Sequence, residues 1–91
     1  MIRQPDPHED ADTLALRALV WTLAEPDRAQ RLLGVTGIDP AGLRERVGDP
    51  AVLAACLQFL LANESDLVAC ADGLGVTPTA LVRAAGELER A

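Results

Sequence analysis

The chain has 91 residues, 49% of them hydrophobic, and a net charge of −6. That is the length of one domain with ample material for a packed core, which excludes a disordered chain. The acidic balance repels nucleic acid and anionic lipid at long range, so neither is the expected partner.

Residues 1–5 carry no helical pattern and are expected to be disordered. A single helical domain is expected over residues 6–91. The first ten residues hold no apolar signal region and no cleavage pattern, which points to a cytoplasmic protein. Asp6 and Glu9 have the spacing of a capping box, and Glu9, Asp10 and Asp12 place negative charge at the positive end of a helix dipole. The spacing predicts a helix to about Ala24. Ala11, Leu14, Ala15, Ala18 and Trp21 share one face. Leu16, Leu19, Val20 and Leu23 widen it until only Thr13 and Arg17 mark a solvent stripe. This helix is the expected main partner of the central one described below.

Glu25-Pro26 breaks the first helix, because proline removes a backbone donor and crowds the preceding turn. Pro26 opens a second helix over Asp27–Leu33, with Ala29, Leu32 and Leu33 inward and Gly34 or Gly37 at its end. Asp39-Pro40 starts a third, from Ala41 to Val47, burying Leu43 and Val47. Gly48 ends it, and a left-handed conformation is expected there.

The central element is Pro50–Ala62. Asp49 can cap it, and Pro50 suits the first helical position, where a missing N–H is no loss. Between Ala51 and Ala62 only Gln58 is clearly polar. Such a helix needs neighbours on most sides, and it is shorter than the roughly 20 apolar residues that span a bilayer. Asn63 caps a fifth helix, with Leu67, Val68, Ala71 and Leu74 as its stripe and Gly73 or Gly75 at its end. Thr77-Pro78 caps a sixth, to about Glu89, with Leu81, Val82, Ala85 and Leu88 inward. No stretch alternates with period two, so the expected fold is all-α: a compact orthogonal bundle of five or six short helices around residues 50–62.

The core must be aliphatic, because Trp21 and Phe59 are the only aromatic residues. Both are expected to be largely buried. Cys56 and Cys70 are the only cysteines and His8 the only histidine, so no zinc site can be built from Cys and His alone. The thiols read as small buried groups. No cofactor, metal or catalytic set is visible. His8 stands beside acids rather than a nucleophile, and the glycines fall singly at helix ends.

Two stretches repeat one pattern. Gly37-Ile38-Asp39-Pro40-Ala41-Gly42-Leu43 and Gly75-Val76-Thr77-Pro78-Thr79-Ala80-Leu81 each run glycine, β-branched residue, cap, proline, two small residues, leucine. The physical content is a tight corner: glycine ends one helix, the apolar residue plugs the turn, and the cap with proline starts the next. The second corner, with Ala71 four residues before Gly75, resembles the helix-turn-helix unit of bacterial DNA-binding proteins over Ala71–Arg83. A recognition helix needs polar or basic residues near its N-terminus, and here the first turn offers Thr77, Thr79 and Ala80, with Arg83 a turn later. A structural corner is the preferred reading. The other basic residues, Arg28, Arg31, Arg44 and Arg46, lie on the second and third helices. A face collecting several of them could bind an acidic partner or a phosphate, although a solvated face with local ion pairs explains them as well.

Taken whole, the chain resembles a family of short bacterial proteins of unknown function. The likeness rests on residues 15–23, on Leu32-Leu33-Gly34-Val35-Thr36-Gly37-Ile38-Asp39-Pro40, on Leu43-Arg44 and Gly48-Asp49-Pro50-Ala51-Val52-Leu53. It continues through Phe59-Leu60-Leu61-Ala62-Asn63-Glu64-Ser65 and Leu74-Gly75-Val76-Thr77-Pro78. The resemblance implies a compact helical domain and brings no activity, cofactor or site residues. The expected function is therefore a non-catalytic domain acting by contact with an unidentified protein partner or as a homodimer, with no membrane. Leu16, Val20 and Val35 are candidates for an exposed apolar patch. The alternative is a DNA-binding or DNA-associated regulator that uses the last helix.

Overall fold

A computed structural model describes residues 10–90, which form six helices. The order is α1 (Ala11–Leu23), α2 (Pro26–Thr36), α3 (Pro40–Glu45), α4 (Pro50–Leu61), α5 (Glu64–Leu74) and α6 (Pro78–Glu89). Among the described residues there is no strand, and the all-α expectation holds.

Each helix starts on a side-chain cap that accepts from a free backbone N–H of the first turn. Asp10 accepts from the Thr13 N–H and hydroxyl, and Glu25 from the N–H groups of Asp27 and Arg28. Asp39 serves Gly42, Asp49 serves Ala51, Asn63 serves Asp66, and Thr77 serves Ala80. The expected capping pair Asp6 and Glu9 lies outside the described residues. As described, α1 opens at Asp10.

The two repeated corners share a left-handed glycine but close differently. Gly37 (φ 73°) and Gly75 (φ 72°) are left-handed, and among the described residues no other glycine has positive φ. Gly37 donates to the Leu33 carbonyl, a single bond closing α2. At the end of α5 the Val76 N–H reaches the Ala71 carbonyl and the Gly75 N–H that of Asp72, the paired closure of a Schellman motif. Ile38 and Val76 sit half-buried in the corners, and Leu43 and Leu81 are buried behind them. Gly48 corrects the expectation of a left-handed turn. Four residues, not two, separate α3 from α4, and a bond from the Asp49 N–H to the Arg46 carbonyl makes the bend. Because α3 stops at Glu45, Val47 falls beyond it and is exposed instead of buried.

Helix α4 is central. Val52, Leu53, Ala54, Cys56, Leu57, Phe59 and Leu60 are all buried. Its most extensive neighbour is α6, ahead of the expected α1. The reason lies in Ala84 and Ala85, which with Leu81 and Leu88 form the buried face of α6 and let the two backbones approach closely. Helix α5 leaves α4 at an angle of 114° around Ala62-Asn63, which makes the packing orthogonal.

The apolar width of α1 is only half used. Leu14, Ala15, Ala18 and Leu19 are buried, while Leu16, Val20 and Leu23 face outward. Thr22 takes an inward position instead, its hydroxyl donating to the Ala18 carbonyl at 2.8 Å. Val68 on α5 and Val82 on α6 are also exposed, with Cys70 and Ala84 inward in their place.

Trp21 is partly buried and packs against the edge of the core. It lies against Gly73 of α5, where an added Cβ would stand 2.9 Å from the indole Nε1. A helical Gly→Ala change ordinarily gains up to about 1 kcal/mol. Gly34, with open space around it, should follow that rule. Gly73→Ala should instead lose about 1–3 kcal/mol through overpacking against the indole. Urea titration of the two variants checks the opposite signs, and a stabilised Gly73→Ala would show that Trp21 moves freely.

Candidate functional site

Where α4 is not covered, it presents small side chains. Ala51, Ala55, Gln58 and Ala62 recur at one helical face, and none of them is buried. Beside this face the second half of α2 stands off, leaving an open groove of about 650 Å³. Ala55, Phe59 and Ala62 supply its α4 side, and Gly34, Val35 and Ile38 the opposite side. Val35 is 73% exposed, the most exposed large apolar side chain described. Polar groups stand at the margin: Arg31, Thr36, Gln58 and Asn63.

Two contacts set the electrostatics of that margin. Arg31 donates to the Asp66 carboxylate at 3.0 Å, joining α2 to α5, and its guanidinium lies 5.6 Å from the centre of the Phe59 ring. The bond to Asp66 holds the Arg31 proton more firmly than usual. On α6, Glu89 accepts from the Gln58 amide at 2.7 Å. No cation pairs with Glu89 among the described residues.

A second surface is the outer stripe of α1, Leu16, Val20 and Leu23, spaced like one seam of a helix pair. Leu16 and Val20 thus belong to a different element from Val35, which lines the groove.

The four candidate arginines of α2 and α3 have separate settings. Arg28 stacks 3.7 Å over Trp21 and donates to the Trp21 carbonyl at 2.8 Å, closing the C-terminal end of α1. Its Nε is buried without a hydrogen-bond partner. Arg31 is engaged by Asp66. Arg44 and Arg46 are exposed on α3 and its C-terminal cap. Thr79 and Arg83 are exposed one turn apart on α6. Arg17, expected in the solvent stripe, instead reaches across to donate to the Leu74 carbonyl at 2.7 Å and closes α5.

The thiols are free and buried. Burial pushes Cys56 up to about 12, with the neighbouring Thr22 hydroxyl pulling the other way. Burial likewise pushes Cys70 up to about 11, against the pull of Arg28 and Arg17. Both are protonated, and so weak nucleophiles, at neutral pH. Among the described residues no group of three or more His, Cys, Asp or Glu could hold a metal ion, and no single helix is long and apolar enough to cross a membrane.

Fold and groove together define a small all-α domain whose central helix keeps one face open. The chain belongs to the family described as "Protein of unknown function (DUF3572)", whose model matches residues 8–91. No curated protein and no solved structure matches it.

Proposed function

We propose that the chain is a non-catalytic bacterial domain, resident in the cytoplasm, that works by protein–protein contact through the α2–α4 groove. The observation that carries this reading is the open face of the central helix. Ala55, Phe59 and Ala62 border solvent-accessible space where a folded monomer would ordinarily place another element. Small side chains on the α4 side allow a partner backbone to come close, and Val35 offers an apolar contact that the fold itself does not use. Two free buried thiols fit a reducing compartment.

Val35→Arg alters the groove and leaves the core alone. A partner captured by the parent chain, then purified and titrated by calorimetry, should lose at least about tenfold in affinity with this variant, the loss of one good apolar anchor. Val68→Arg, an exposed change on α5, should bind as the parent does. Equal binding by all three chains would remove the groove from the contact.

A DNA-associated role is the second reading, favoured by the left-handed corner at Gly75 with Leu81 buried behind it. Thr79 and Arg83 would face the duplex, with Glu87 one turn beyond Arg83 on the exposed side. A gel shift with random duplex at about 50 mM salt, where phosphate contacts are strongest, separates the two readings.

A further inference from the structure

We infer that the occupant of the groove is a basic amphipathic helix from another protein, an inference that rests on the docking reading above. The shape argument is that the groove runs beside the small-residue face of α4 and is bounded across from it by Gly34, Val35 and Ile38. A helix laid there would insert apolar side chains at i, i+3 or i+4, and i+7, the recurrent helix-in-groove pattern.

The charge argument selects the partner's polar face. Arg31, the one cation lining the groove among the described residues, is neutralised by Asp66 at 3.0 Å. Glu89 is held beside Gln58 by a 2.7 Å bond and carries no compensating cation among the described residues. The lining Gln58 therefore holds a carboxylate just outside the groove, on a chain whose net charge is −6. A second copy would bring the same −6 toward it, and like charges brought together oppose association. Lysine or arginine flanking the apolar anchors would find Glu89 beside Gln58 at the groove's edge and the acidic chain at long range.

The test uses the full chain and three synthetic helical peptides. The first has leucine anchors flanked by lysine, the second the same anchors flanked by glutamate, and the third the lysines with serine in place of the anchors. Amide shifts are followed by NMR, and affinity by calorimetry. The expected result is that only the first peptide shifts residues 34–38 and 55–63. Its affinity should fall about fivefold or more when salt rises from low to physiological strength. Glu89→Gln should weaken it about threefold, the size of one exposed ion pair. Val35→Arg should abolish the shifts.

Equal binding of the first two peptides, or binding of the third, would overturn the inference. So would a dimer in sedimentation that Val35→Arg dissolves, since the groove would then hold a second copy. If no peptide binds while Val35→Arg still strips a captured partner, the basic-helix inference fails and the docking reading stands. If Val35→Arg changes neither, both fail.

Discussion

Replacing Phe59 with alanine should lower the free energy of unfolding by about 3–5 kcal/mol. The ring is 8% exposed and sits in the last turns of α4, packed into the core on one side and bordering the groove on the other. It is the largest single contribution to an otherwise aliphatic interior, so its loss leaves a void that neighbouring leucines cannot fill without leaving their rotamers. The groove side moderates the effect, because water can enter part of the space. Even the lower figure is a large share of the roughly 5–15 kcal/mol that holds a domain together. Equilibrium denaturation measures it. A loss under about 1 kcal/mol would mean that the ring serves the groove alone.

Alkali should destabilise the fold before any arginine titrates. Burial moves Cys56 from an ordinary 9.0 to about 12 and Cys70 to about 11. Between these values the unfolded chain releases thiol protons that the folded chain keeps. The unfolded state then binds fewer protons, so stability falls as pH rises from about 9 and levels off once the folded thiols ionise. Cys56 alone should contribute a loss of about 2 kcal/mol by pH 10.5, and Cys70 a smaller loss of the same sign. Denaturation at a series of pH values, for the parent and for Cys56→Ala/Cys70→Ala, isolates the effect. The substituted chain starts less stable because of its cavities, but its slope above pH 9 should be nearly flat. Parallel slopes would show that the thiols are already solvated in the native state.

Five of the six helix starts were legible because their chemistry is local; the first was expected at Asp6, but Asp10 is the cap of α1. An Asp, Asn, Thr or Glu before a proline or an acidic first turn needs no tertiary information to act as a cap. Gly37 and Gly75 were legible for the same reason. Faces were harder to read. On α1 nearly every position is apolar, so periodicity could not say that Leu16 and Val20 would point outward while Thr22 went in. The hydroxyl of Thr22 is satisfied by its own helix, which makes a polar residue as easy to bury as valine. The size of Trp21 points it toward the core, and it packs against the core's edge with Arg28 stacked on the ring. The groove was missed altogether. Its parts, residues 31–38 and 55–63, come from two helices whose spacing depends on what does not pack between them. The one signal was in plain view: Ala51, Ala55, Gln58 and Ala62 recur on one face of the most apolar helix, and small side chains there leave room beside it.

The stack of Arg28 on Trp21 over Gly73 makes the lone indole a local gauge. Its fluorescence will register the junction of α1, α2 and α5, not the interior around α4. Emission and far-ultraviolet circular dichroism should therefore be recorded together in any unfolding experiment. Where the optical curves separate, the early transition belongs to α2 lifting away from the indole, and the groove wall carrying Val35 opens with it.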